Sequence, residues 1–327
     1  MSEHAQDTPG TIPLERTAKL LRLATYASVG VASVLIVAKL SAWFATGSVS
    51  MLSSLVDSML DAVASVVNLL AVRQALQPAD REHRFGHGKA EALAGLGQAA
   101  FIAGSGLFVL MEGLGRLYNP QPVQHGTLGI AVMVLSIALT FGLVNVQAYV
   151  LRRAQSLAIH ADSFHYQIDL ITNLSVIASL ILSAWFGIHY VDPIVALGIV
   201  AYMAYGSFGI ARHAIDQLMD RELPDEERNR IREIALAEPG VKSVHDLRTR
   251  ASGPNRFVQI HLEMDRALSL IEAHEISDRV MYNIEAALPN SEVLVHQDPE
   301  GVEERRDRPT QAGVNRRPEE DRKSRVT

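Results

Sequence analysis

Gly126 to Leu151, GTLGIAVMVLSIALTFGLVNVQAYVL, runs 26 positions without one Asp, Glu, Lys or Arg. About 20 predominantly apolar residues suffice for a helix to cross a hydrocarbon core of about 30 Å, so this segment reads as a transmembrane helix. Residues 170–191 and 193–211 are also free of charge, and 23–46 hold only Lys39. Two further stretches have the length but carry acids: 48–72 holds Asp57 and Asp61, and 90–115 holds Glu91 and Glu112. The expected spans are therefore six, near 21–45, 48–73, 91–117, 126–152, 160–187 and 193–213. The first is too long for a cleaved signal peptide and lacks a small-residue cleavage pattern.

One set of connections carries Arg16, Lys19 and Arg22, then Arg73, Arg81, Arg84 and Lys89, then Arg152 and Arg153, and finally Arg212. The alternate connections, 46–48, 119–125 and 187–192, have no Lys or Arg. Because positive loops stay inside, both termini are expected in the cytoplasm. Trp43 and Trp185 fall near the outer ends of spans one and five, where an interfacial aromatic belt would put them.

The mean hydropathy of the 327-residue chain, +0.11, thus averages an apolar bundle with a polar remainder. With 48% hydrophobic residues the chain is not disordered, and with no cysteine it is not a disulfide scaffold. A net charge of −6 argues against a nucleic-acid binder relying on a basic surface. Without thiols, any transition-metal site must use His, Asp, Glu or water.

Past the sixth span, Pro224-Asp225-Glu226-Glu227 starts a helix to about Glu238. Strand-like runs follow at 244–249 and 257–263, hinged at Ser252-Gly253-Pro254, then a helix over 270–287 and a strand at 292–296. The expected layout is an N-terminal tail (1–19), a six-transmembrane-helix bundle (20–215), an αββαβ domain (216–299) and a disordered charged tail (300–327).

Asp57 and Asp61 lie four apart, on one face of span two and about 6 Å apart along its axis. His165 and Asp169 repeat that spacing on span five. Ionisable groups inside a bilayer are costly and face a partner. Three carboxylates and one imidazole brought together form a tetrahedral site for a divalent ion. The bland alternative is that each acid is protonated or capped by a neighbouring Ser or Asn. Asn68 and Asn173 read as helix–helix hydrogen-bonding residues.

The chain resembles the cation diffusion facilitator family, in its bacterial zinc and ferrous-iron efflux branch, from span one to Asp298. The motifs carrying the resemblance are Thr46-Gly-Ser-Val-Ser50, Leu55-Val-Asp-Ser-Met-Leu-Asp61, Phe85-Gly-His-Gly-Lys-Ala-Glu91 and His165-Tyr-Gln-Ile-Asp169. The soluble half adds Asp220-Arg-Glu-Leu-Pro-Asp-Glu-Glu227, His245-Asp-Leu-Arg-Thr-Arg250 and His296-Gln-Asp298. The resemblance implies a homodimer of α-helical six-span protomers in the lipid bilayer, with a ferredoxin-like, metallochaperone-like cytoplasmic domain, exchanging a divalent cation for protons. It makes Asp57, Asp61, His165 and Asp169 the transport ligands, the same four that the spacing selects.

The loop after span two holds Asp80, His83 and His87, which one helical turn or a tight loop can present together. Read alone this is equally a solvated polar loop; the resemblance makes it a metal site. It likewise assigns His245, His261, His274, His296 and Asp298 to a binuclear zinc site at the dimer interface. It also implies that Lys89 and Asp220 form a charge pair between spans and soluble domain. Glu300 stands where some relatives carry cysteine. His4, His125, His160, His189 and His213 match no motif and read as surface or interfacial residues, and Lys39 as snorkelling or paired with an acid.

Zinc binding requires neutral His165 and ionised carboxylates, so protons and metal compete for one site. Imidazole, with an ordinary pKa of about 6.5, is then the main group whose protonation expels metal outside. One imidazole with three carboxylates favours Zn(II) or Cd(II) over Mg(II) and Ca(II). Fe(II) and Mn(II) accept similar ligands, so their efflux is the close alternative. Zn(II) is then both substrate and structural or regulatory metal. A non-transporting metal sensor is a second class of answer, and a drug exporter is disfavoured by the ligand spacing.

Overall fold

The computed structural model describes residues 14–118, 127–186 and 191–302. The expected outer connection at 119–125, residues 187–190 of the one expected at 187–192, His4, His125, His189, the Trp185 side chain and the charged tail from 303 lie outside the described residues.

Six long helices come first: α1 (Leu14–Thr46), α2 (Val49–Ala75), α3 (Lys89–Tyr118), α4 (Thr127–Leu151), α5 (Leu157–Phe186) and α6 (Val191–Leu218). Stretches of α1, α2, α3, α4 and α6 are long and apolar enough to cross a membrane among the described residues. Several helices extend past the expected spans. α1 already begins at Leu14, inside the stretch expected as tail, and α6 runs on to Leu218. Outward faces are apolar, with Phe44, Val63, Phe108, Phe141 and Phe208 exposed, as lipid-facing positions are.

α5 packs against α1, α2, α3, α4 and α6. Its N-terminal half is polar, with His160, Asp162, Ser163, His165, Tyr166, Gln167 and Asp169 within ten residues. Such a helix is hidden best by apolar neighbours, and residues 161–166 are all buried. Phe164 lies over Gly206 of α6, where a Cβ would meet the ring at 1.9 Å. Glycine there sets how closely α6 approaches α5. At the α1–α2 turn, Gly47 takes φ +61 and its N–H donates to the Trp43 carbonyl at 2.8 Å, a left-handed helix stop.

The soluble part is α7 (Asp225–Leu236), β1 (Val241–Ser252), β2 (Asn255–Met264), α8 (Leu270–Ala287) and β3 (Ser291–Pro299). This is the expected αββαβ order, with longer strands. β1 and β2 form an antiparallel hairpin, and α8 returns the chain so that β3 lies parallel to β2. Ser269 and Glu272 cap α8 reciprocally. Ile231, Ile260, Leu262, Val280 and Ile284 are fully buried between the helices and one face of the sheet, each worth about 1.5–3 kcal/mol of hydrophobic transfer.

Candidate metal centres

In the bundle, Asp61 of α2 meets His165 and Asp169 of α5. His165 Nε2 lies 2.9 Å from Asp61 Oδ1 and 3.6 Å from Asp169 Oδ2, and the three donors all lie within 4.8 Å of one another. The helical period explains why one imidazole reaches both: residues four apart stack on one face. His165 is 7% exposed. Phe101 and Tyr166 pack against its ring, and the Tyr166 hydroxyl pairs with Ser65 Oγ at 2.9 Å, tying α5 to α2. The structure does not bring in the fourth expected ligand: Asp57, one turn away, stands on the exposed side of α2 outside this group. Three of the four expected ligands are thus gathered here, with Asp57 near enough to interact electrostatically with Asp61 and Asp169.

Lys39 interacts electrostatically with Asp61, Asp169 and Asp57, its direct hydrogen bonds going to serines of α2. Its Nζ donates to Ser58 Oγ at 2.7 Å and to the Ser54 carbonyl at 3.1 Å, placing its charge between Asp57 and Asp61 on α2. Sequence reasoning passed over Asp162. Its Oδ2 accepts from Ser28 Oγ at 2.7 Å and from Gln147 Nε2 at 2.8 Å, joining α1, α4 and α5 in the buried interior. The available signal was its position three residues before His165. Asn68, expected to bond between helices, is buried with its amide nitrogen unpartnered among the described residues.

In the α2–α3 loop, Asp80 lies 3.3 Å from His83 Nδ1 and 3.3 Å from His87 Nε2, in a tight loop rather than a helical turn. Asp80 Oδ1 accepts the backbone N–H of Glu82 at 2.9 Å and of His83 at 2.6 Å. Those donors, the His83 N–H foremost, hold its carboxyl below the usual aspartate range, helped by the neighbouring imidazoles. His87 Nδ1 is buried without a hydrogen-bond partner among the described residues.

On the sheet, strand register builds the third cluster. His245 of β1 is paired with His261 of β2, which is paired with His296 of β3. Asp298 collects all three: its carboxylate lies 2.9 Å from His261 Nδ1, 3.2 Å from His245 Nε2 and 3.1 Å from His296 Nε2. Asp246, with φ +45 at a bulge, adds a carboxylate 3.8 Å from His261 Nε2. Within the one chain His274 stands apart from this cluster, exposed on α8 and 3.4 Å from Asp278. Alternation along β2 explains this. Ile260 and Leu262 face the helices, so His261 between them points to the opposite face of the sheet. Imidazole and carboxylate donors this close fit a resident zinc ion.

The junction between bundle and sheet contains the expected pair, Lys89 Nζ to Asp220 at 3.0 Å. Arg250, which sequence reasoning missed, also reaches Asp220 at 3.4 Å and covers the rings of Phe85 and Phe257 at 4.6 and 4.9 Å. Gly88 presses on the hairpin turn, where a Cβ would lie 2.0 Å from the Ser252 carbonyl oxygen.

Residues 25–219 match the Cation efflux transmembrane domain family, and residues 223–300 match the family described as Cation efflux protein, cytoplasmic domain. The chain is 48% identical to the cation-efflux pump FieF of Klebsiella pneumoniae subsp. pneumoniae over 284 residues, 87% of this chain and 94% of that one. It is 47% identical to FieF of Yersinia enterocolitica over 285 residues, 87% and 95% of the two chains. Among solved structures, the zinc form of CzrB is 34% identical over 26% of this chain and 99% of its own, with a TM-score of 0.24.

Proposed function

The chain belongs to the cation efflux family, and from that premise we propose that it exports Zn(II) from the cytoplasm in exchange for protons. Efflux of divalent metal cations is the family's activity; the choice of zinc and the coupling to protons are the finer reading. The observation that carries it is His165 Nε2 lying between the Asp61 and Asp169 carboxylates. One ring nitrogen holds either a proton, donated to Asp61, or a metal ion, never both. Loading the doubly protonated ring therefore releases a proton, and protonating the neutral ring at that nitrogen releases the metal.

Asp57 supplies the fourth oxygen when α2 turns its exposed face toward α5. Lys39 holds positive charge beside the acids while the site is without metal. The protein works as a homodimer in a bacterial inner membrane, with both termini cytoplasmic. The sheet face bearing His245, His261, His296 and Asp298 holds resident zinc, and His274 lies apart from it. Asp80, His83 and His87 bind metal at the cytoplasmic mouth, and the Lys89–Asp220 pair is the hinge between the two parts. Cd(II) shares the preference for imidazole and travels the same way.

Zinc-dependent proton flux in proteoliposomes tests the coupling: metal movement indifferent to a collapsed pH gradient overturns it. Fe(II) and Mn(II) also accept one imidazole with carboxylates. A panel of Zn, Cd, Fe(II) and Mn uptake for wild type and His165→Asp tests the selectivity, with the variant expected to move away from zinc.

A further inference from the structure

A cavity of about 940 Å³ opens where the cytoplasmic ends of α5 and α6 meet the soluble part. Its arginines are already committed: Arg221 pairs with Asp216, Arg228 donates to Asp225 at 2.9 Å, and Arg256 donates to Glu227 at 2.9 Å. Glu222 accepts the Thr249 N–H at 2.9 Å. Beside Arg228 Nε, which has no hydrogen-bond partner among the described residues and lies 3.6 Å from Glu222 Oε2, the wall offers a set of unpartnered acceptors.

Glu91 of α3 is 1% exposed and lines this cavity. Its Oε2 accepts from Ser156 Oγ at 2.9 Å, at the start of α5, while its Oε1 has no hydrogen-bond partner among the described residues. Gln217 of α6 also lines it, with a buried Oε1 likewise unpartnered among the described residues. One turn earlier on α6, His213 Nδ1 donates to the Gly209 carbonyl at 2.8 Å. A carbonyl can only accept, so the proton is on Nδ1 and Nε2 carries the lone pair, the form in which imidazole ligates metals. His160, one turn beyond Ser156 on α5, lines the same wall. An unsatisfied buried carboxylate oxygen is costly, and two imidazoles with two oxygens suit a divalent ion of borderline softness better than Mg(II) or Ca(II).

We infer that this cavity is a capture site for a partly hydrated divalent cation, held by Glu91, His160, His213 and Gln217 on its way from the cytoplasm to Asp61, His165 and Asp169. The donors are spread over a cavity that has room for several waters of about 30 Å³ each, so the ion keeps part of its water shell and passes on readily. The direction of travel rests on the efflux reading; the binding does not.

The test uses the full chain with Asp61→Asn and Asp169→Asn, which removes the transport cluster. Diethyl pyrocarbonate modifies accessible neutral imidazoles, and peptide mass spectrometry reads His160 and His213 separately. Zinc is expected to slow modification of both by roughly tenfold, the scale on which metal sites respond to loss of a supporting partner, whereas magnesium is not. Equal rates with and without zinc overturn the site. Glu91→Gln should abolish the protection, and because that change touches the start of α5, Gln217→Leu is the second variant expected to weaken it. In vesicles with the transport cluster intact, His160→Ala with His213→Ala should raise the half-saturating zinc concentration by a larger factor than it changes the maximal rate. An unchanged half-saturation overturns the capture role. Protection without any zinc-driven flux overturns the efflux reading and leaves the binding site standing.

Discussion

The cluster in the bundle and the cluster on the sheet use the same donors, imidazole and carboxylate, and hold them by different means. Asp61 sits on α2 while His165 and Asp169 sit on α5, so the donor spacing is set by side-chain packing between two helices. His245, His261 and His296 lie side by side because backbone hydrogen bonds fix the register of β1, β2 and β3. Helices can slide or rotate at modest cost, whereas changing the sheet cluster means breaking a ladder. A site that must open to alternate sides suits the first kind of support, and one that must keep its metal suits the second.

The largest test of that contrast is Asp61→Ala. It should lower zinc flux by about a hundredfold, in line with loss of a metal ligand, while metal retained by the soluble part is unchanged. Comparable loss from both would mean that the clusters are not independent. His261→Ala is the reciprocal change. Removing the central imidazole of the row should weaken metal retention by the soluble part by about tenfold or more, and flux should fall by less; equilibrium dialysis beside vesicle uptake reads both.

Packing is the next level. Gly206→Ala would put a Cβ into the Phe164 ring, next in sequence to His165. Overpacking of this kind costs about 1–3 kcal/mol, so the melting temperature in detergent should fall and flux should fall with it. Phe164→Leu in the same chain should recover part of both. No change in either would show that the α5–α6 contact does not govern the bundle cluster.

The smallest effect concerns the loop. The Asp80 carboxyl lies below its usual range, chiefly because the His83 N–H donates to it. Its contribution is therefore present above the unfolded value of about 3.9 and lost only as pH falls through the lower folded value. Protection of the Glu82 and His83 amides, measured as the exchange rate relative to the intrinsic rate at each pH, should hold at pH 5 and be lost only in stronger acid. Loss of protection between pH 7 and pH 6 would tie the loop to its histidines instead.

The six helices and the αββαβ order could be read from charge-free runs and turn residues because those signals are local. The pairing of His165 with Asp169 was readable for the same reason, since a helix repeats every 3.6 residues whatever surrounds it. The distance of Asp57 from that pair was not, because it depends on how α2 is rotated against α5. The histidine row was only half readable: four histidines were visible, but not that three share one line. That line depends on a bulge between His245 and Arg248 and on the return through α8. His274 was included through the family resemblance and lies on α8, apart from the row within one chain. Arg250 and Glu91 escaped because their partners, Asp220 and Ser156, are 30 and 65 residues distant.

The central position of α5 bears on how the protein is made. Only Leu170–Phe186, 17 residues, is continuously free of charge in that helix, the lower limit for spanning a bilayer at about 17–25 residues. The polar turn before it would meet bare lipid if α5 left the translocon by itself. α1 to α4 are synthesised first and already offer Ser28, Ser65 and Gln147 as polar hands for Asp162 and Tyr166. Insertion of α5 after those helices would spare its polar turn that exposure, because every one of these partners precedes it in the chain.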